Sequence, residues 1–181
     1  MKITRLQIPD VLLIEPRLYE DERGFFFESF NQQDFLQQTG LHAYFVQDNV
    51  SRSIKYVLRG LHYQTVRAQD KLVRVTAGDI YDVAVDLRKS SPTLGQYVGT
   101  RLSAQARQSL WIPCGFAHGF MVLSDFAEIL YKVTDYWQPQ HERRIIWNDP
   151  DLSIQWPLAG APVLSSADLM APRFREAELF P

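Results

Sequence analysis

The densest polar stretch of the chain is Gln47-Asp48-Asn49-Val50-Ser51, followed closely by Leu58-Arg59-Gly60-Leu61-His62-Tyr63-Gln64. An imidazole is the side chain best suited to move a proton near neutral pH. A guanidinium donates paired hydrogen bonds that suit a phosphate, and a glycine between the two lets the backbone bend or approach a ligand. Taken alone, Arg59-Gly60-Leu61-His62 is a weak pattern, because a lone strand histidine is by default structural. A second histidine lies in Trp111-Ile112-Pro113-Cys114-Gly115-Phe116-Ala117-His118-Gly119-Phe120, where Pro113 and Gly115 make a tight turn that delivers His118 at the start of the next strand. The third segment, Glu128 to Trp137, offers a phenol. Tyr131 and Val133 share one face of that strand with Lys132 on the other, and periodicity alone reads Tyr131 as half-buried packing. Tyr136 and Trp137 read equally well as turn-side aromatics.

The Pro113-x-Gly115-x-x-His118 spacing is similar to a pattern of cupin-class β-sandwiches, in which such a histidine often ligates a metal. The usual partner motif offers two histidines one residue apart and a nearby glutamate. Here that region holds only His62, between Leu61 and Tyr63. Too few imidazole and carboxylate ligands are present for a convincing site. The sole cysteine, Cys114, excludes a CxxC site and a disulfide framework, and no Gly-rich dinucleotide loop follows a strand. Neither a metal nor a nicotinamide cofactor is expected.

The 181 residues, 46% of them hydrophobic, suffice for one sizeable core over 1–181 and not for two. With 19 Lys+Arg against 21 Asp+Glu, no basic excess points to nucleic acid, so an anionic partner must be met by a few placed cations. The apolar run Val11–Ile14 is broken by Glu15 and Pro16 and is too short for a signal-peptide core or a membrane span. A soluble cytoplasmic protein is expected.

These groups must be positioned by short strands. Runs rich in Val, Ile, Phe and Tyr, bounded by Gly, Pro, Ser and Asp, predict strands over Val11–Ile14, Phe25–Phe30, Ala43–Arg52, Lys71–Thr76, Asp79–Leu87, Gln96–Leu102, Ser109–Ile112, Gly119–Leu123, Ala127–Thr134 and Arg144–Trp147. The spacing of the turns suits an all-β sandwich or barrel. One helix is expected, with Asn31 as N-cap, Phe35 and Leu36 as its apolar edge and Gly40 as its stop. The proline-bearing stretch Ala159–Pro181 is expected to wrap the body as loop with a short helical turn. Period-two geometry sets Glu28 opposite Phe27, and puts Asp82 on one face with Ala84 and Asp86. That charged face is either solvated or the lining of a polar cavity.

In this order, DERGFFFESFN, FVQDNVSRS, VLRGLHYQ, KLVRVTAGDIYDVAVDLRKSSPT, LWIPCGFAHGF and LYKVTDYW resemble the dTDP-4-dehydrorhamnose 3,5-epimerase family, from about Ile8 to the C-terminal stretch. The resemblance implies an all-β, cupin-like jelly roll (a double-stranded β-helix) that forms homodimers, uses neither metal nor nicotinamide, and inverts C3 and C5 of a dTDP-4-keto-6-deoxy sugar. A C4 ketone acidifies the hydrogens at both carbons. The reaction therefore needs a base on one side, an acid on the other and support for the enolate oxygen. By resemblance, His62 is the base, Tyr131 the opposing acid, Asp168 the carboxylate that holds the imidazole, and Lys71 the ammonium near the sugar oxygens. Arg23, Glu28, Gln47, Asp48, Asn49, Arg59, His118 and Glu142 fall on binding positions of the family.

Two departures stand out. Trp137 takes the place where many relatives stack a tyrosine on thymine. Ala167 stands before Asp168 where relatives often carry a basic side chain, so that a phosphate contact is lost or supplied by Arg173 or Arg175. Competing readings are a single-centre epimerase or ketoisomerase on a related dTDP-keto sugar, a metal-dependent cupin oxygenase, and a non-catalytic sugar-nucleotide-binding module. Against the first, the presence of both His62 and Tyr131 favours double inversion, since inversion at either centre requires protonation from the opposite face. The second lacks ligands, and the third has no use for an acid–base pair.

Overall fold

The computed structural model describes residues 1–181, and thirteen strands account for most of its regular structure. A six-stranded antiparallel sheet is built from β1 (Lys2–Arg5), β2 (Leu12–Glu15), β10 (Ser109–Ile112), β7 (Lys71–Ala77), β12 (Phe126–Val133) and β5 (Gln47–Ile54), neighbours in that order. A five-stranded antiparallel sheet follows the order β13 (Glu142–Arg144), β6 (Leu58–Gln64), β11 (Phe116–Val122), β8 (Asp79–Asp86) and β9 (Tyr97–Ser103). β3 (Leu18–Asp21) and β4 (Gly24–Phe27) form a separate exposed hairpin. Two packed antiparallel sheets with short helices make the cupin-like jelly roll that the strand pattern and the family likeness imply.

Each layer buries the face that its alternation makes apolar. Val73, Val75, Leu110, Ile112 and Ile129 of one sheet meet Ile80, Ala84, Val98, Phe116 and Phe120 of the other. The outer face of the five-stranded sheet carries a second cluster, including Leu61, Val83, Val85 and Met121. The chain after β13 covers it with Leu152 and Trp156, and then with Leu164, Phe174 and Phe180. Backbone bonds pin this wrapping segment at both ends: Val163 N–H to the Tyr56 carbonyl at 2.9 Å, and Phe180 N–H to the Leu87 carbonyl at 3.1 Å. Between the pins lies the short helix α2 (Ser166–Leu169), capped by the Ser165 hydroxyl, which accepts from Asp168 N–H. The expected loop with one helical turn is what forms.

The expected helix is α1 (Gln32–Thr39). The Asn31 side chain accepts from the N–H groups of Gln33 and Asp34, and Gly40 ends the helix at φ 74° with its N–H on the Leu36 carbonyl. Phe35, fully buried, packs on Leu12, Ile14, Leu72 and Trp111.

Several strand boundaries differ from expectation. Leu58–Gln64 is a full strand that the β-former pattern passes over, because Gly60 and its polar neighbours mask it. β1 and β3 are likewise short strands not expected. The strand expected over Phe25–Phe30 stops at Phe27, leaving Glu28 in the turn that leads to α1. The one expected over Ala43–Arg52 starts only at Gln47, where continuous pairing with β12 begins. The strand expected from Gly119 begins at Phe116, so His118 sits within it and not at its start. The last expected strand, Arg144–Trp147, lies instead at Glu142–Arg144, although Ile145 still exchanges backbone bonds with Leu61.

Candidate active site

The two sheets part at one end around a cavity of about 330 Å³. From the six-stranded sheet, β5 sends in Gln47, Asn49 and Ser51, β7 sends in Lys71 and β12 sends in Tyr131. From the five-stranded sheet come Arg59, His62 and Gln64 of β6 and His118 and Phe120 of β11; Trp137 and Glu142 close the rim. His62 and Tyr131 therefore stand on opposite sheets and line the same space.

Close approach of β6 to β11 makes this possible. Gly60 adopts φ 122°, and a Cβ there would come within 2.6 Å of the Gly119 Cα. Any side chain would push the strands apart. With the two glycines facing, His62 falls directly opposite His118 in the ladder.

Each of these histidines is tied to a buried carboxylate. His62 Nε2 lies 2.6 Å from Asp168 Oδ1, a contact across 106 positions made by α2 in the wrapping segment. Asp168 is 3% exposed. Burial pushes its carboxyl up, but the His62 hydrogen bond and charge, the Ser165 hydroxyl and the Arg144 cation together outweigh this and hold it below the ordinary aspartate range. An ionised Asp168 only accepts, so the proton of the neutral imidazole sits on Nε2, and Nδ1 keeps the lone pair. His118 Nε2 meets both oxygens of Asp82 at 2.9–3.0 Å. Asp82 and Asp86 are both fully buried, so the charged face of β8 is internal. Asp86 is satisfied by Arg88, Ser91 and Thr93.

Lys71 is held down to about 8, chiefly by burial, with Asp82 and Glu142 opposing. Its ammonium is thus a poorly hydrated cation facing the cavity. The Tyr131 phenol is raised, first by burial and then by Glu142, against a lowering effect of Arg59. It stays a proton donor through neutral pH. Arg59 reaches the cavity while its Nε donates to Ser53 Oγ at 3.0 Å. Trp137 Nε1 donates to Glu142 Oε2 at 2.7 Å, which holds the indole at the mouth with 55% of its surface free.

Three of the expected binding residues stay outside this cavity. Asp48 alternates to the other face of β5 and pairs with Lys132 at 2.7 Å. Arg23 is on the exposed hairpin, paired with Asp21 at 2.5 Å. Glu28 is exposed beyond that hairpin and accepts from Asn31. Beside Ala167, Arg175 is engaged by Asp151 at 2.6 Å, and the Arg173 backbone is bound to Glu176. Arg143 and Arg144 share a surface groove with Ala167.

The structure adds Ser51, Gln64, Gln69 and Phe120 to the lining and gives His118 its partner Asp82. Ser51 was open to discovery from sequence, since it continues the i, i+2 face of Gln47 and Asn49. Gln69 carried no such signal. No group of three or more His, Cys, Asp or Glu side chains converges in a way that could hold a metal ion. No helix is long and apolar enough to cross a membrane.

A family model described as dTDP-4-dehydrorhamnose 3,5-epimerase matches residues 5–176. The dTDP-4-dehydrorhamnose 3,5-epimerase of Pseudomonas aeruginosa is 61% identical over 181 residues, covering 100% of both chains. That of Salmonella typhimurium is 54% identical over 180 residues, covering 99% of this chain and 98% of the relative. The crystal structure of the dTDP-6-deoxy-D-glucose-3,5-epimerase of Legionella pneumophila, in complex with dTDP-4-keto-L-rhamnose, superposes with a TM-score of 0.95 at 50% identity. It covers 98% of this chain and 94% of that one.

Proposed function

The chain belongs to the dTDP-4-dehydrorhamnose 3,5-epimerase family and serves dTDP-L-rhamnose biosynthesis, and from that premise we propose how its residues carry the two inversions. His62 takes a proton from the carbon next to the C4 ketone through Nδ1, while Asp168 steadies the imidazolium that forms. Lys71 supports the negative charge that moves to the ketone oxygen. Tyr131 returns a proton from the opposite wall, which inverts the centre; His62 then gives its proton to solvent and the Tyr131 phenolate takes one back, and the sequence repeats at the second carbon. The observation that carries this reading is the placement of a carboxylate-bound imidazole and a phenol on opposite sheets of one cavity. A binding module would need no such pair.

The substrate reading is a dTDP-4-keto-6-deoxy sugar, in keeping with the dTDP-keto sugar held by the Legionella relative. Trp137 at the rim offers a flat face for the base, Arg59 a cation for the diphosphate, and Gln47, Asn49 and His118 polar contacts for the sugar. Incubation with dTDP-4-keto-6-deoxyglucose in deuterated water tests the function. The expected product is doubly inverted and carries deuterium at C3 and C5. Inversion at one centre alone would favour a single-centre epimerase.

The working unit is proposed to be a homodimer. The hairpin bearing Arg23, with Glu28 just beyond it, exposes Phe25 and Phe26 at 57% and 66%, and the outward face of edge strand β5 exposes Val50 and Ile54, each at 65%. Such apolar patches invite a second copy. Residues on that hairpin would then be free to reach the partner's cavity. Sedimentation at twice the chain mass is expected, with Phe26→Asp shifting the protein to monomer.

A further inference from the structure

Beside the His62–Asp168 pair stands a cation with no role in the scheme above. Arg144 lies directly opposite His62 in the β6–β13 ladder. Its Nη2 donates a short hydrogen bond to Glu142 Oε1. Its Nε approaches Asp168 Oδ1 to 3.4 Å, the same oxygen that meets His62 at 2.6 Å. That Nε is buried and has no hydrogen-bond partner. A buried N–H is costly to leave unmade, and here the nearby anion is what its charge answers. Through Glu142, the same guanidinium links the dyad to Trp137 at the rim.

We propose that Arg144 is a positioning residue for the dyad, fixing the Asp168 carboxylate and offsetting part of its charge so that His62 rests unprotonated and ready to accept. A buried carboxylate with no such neighbour would favour the imidazolium, which cannot act as a base. The other ionisable groups around His62 are His118 across the ladder, Glu142 on β13, Arg59 on its own strand, and Lys71 and Tyr131 from the facing sheet. None of these touches Asp168 Oδ1; Arg144 does. The inference rests on the reading of His62 as the base.

The test uses Arg144→Met and Arg144→Lys in the full chain, with two readouts. The first is the acid limb of kcat/KM, and the second is the NMR titration of the His62 ring. Arg144→Met should move both upward by about one pH unit. That costs up to about tenfold in kcat/KM on the acid side and leaves the maximum of the pH profile within about threefold, which also shows the variant to be folded. Arg144→Lys should bring both back toward the wild-type position. If the ring titration moves and the kinetic limb does not, Arg144 acts on His62 as inferred and the base is another group. If neither moves, or if Met and Lys behave alike, the inference is overturned. A rise in KM at every pH with an unmoved limb would make Arg144 a substrate contact and overturn it equally.

Discussion

Asp168→Asn isolates what the carboxylate contributes by charge. The amide has nearly the same shape, and Ser165 still caps α2 through the backbone N–H of residue 168. The guanidinium of Arg144, 3.4 Å from Oδ1, favours the amide oxygen over the amide nitrogen at that position. His62 therefore keeps its Nε2 proton and its orientation, and the variant loses chiefly the negative charge that stabilises the imidazolium. For charge centres about 4 Å apart at an effective dielectric near 20, that attraction is about 4 kcal/mol. The His62 side chain is 31% exposed, and screening trims this to about 3 kcal/mol. About 3 kcal/mol in the barrier is roughly a hundredfold in kcat. Because imidazolium forms only as the proton leaves carbon, KM should stay within about threefold. Steady-state turnover of dTDP-4-keto-6-deoxyglucose, followed by NMR at several substrate concentrations, gives both constants. A kcat within about threefold of wild type would refute the reasoning, and so would a loss confined to KM.

Lys71 gives a prediction with two arms. Its ammonium titrates at about 8, so kcat/KM should fall as pH rises through that value, and Lys71→Met should be nearly inactive at all pH. Between about 8 and the ordinary 10.5 the unfolded lysine holds a proton that the folded one lacks. Wild-type stability from this group therefore rises with pH, and the gain in unfolding midpoint of Lys71→Met over wild type should be largest below pH 8. Arg59→Ala should weaken dTDP-sugar binding by about 1.5–3 kcal/mol in calorimetry; unchanged affinity would make Arg59 structural through its bond to Ser53. A chelator should leave turnover unchanged, since His62 and His118 already face carboxylates; loss of activity with rescue by a divalent ion would contradict this.

The sequence made some parts of this molecule plain and hid others for physical reasons. Helix α1 was legible to the residue because its signals are local: an asparagine cap, a buried aromatic and a left-handed glycine stop. Strands β7, β8 and β12 were legible because each is an unbroken run dense in Val, Ile, Leu or Tyr with turn residues beside it. Strand β6 was not, although it carries His62 and Arg59, because its Gly60 answers to Gly119 on another strand and the signal is tertiary. The acid–base residues could be named only through resemblance. Periodicity alone gives Tyr131 a packing role, and nothing local joins Asp168 to a histidine 106 positions away. Asp48 shows the converse: a segment match carried it into the binding set, while strand alternation turns it toward Lys132. Arg144 entered the sequence reading only as the first residue of an expected strand, because nothing local ties it to Asp168.

The central claim is that proton removal and proton delivery occur from opposite walls, and Tyr131→Phe in deuterated water tests it most directly. The variant keeps the ring and its packing and deletes only the donor. His62 can still remove a proton and return a deuteron to the face it attacked. The account predicts that hydrogen at C3 and C5 continues to exchange for deuterium while inversion falls by at least about a hundredfold. Parallel loss of exchange and inversion, or inversion at near wild-type rate, would contradict it.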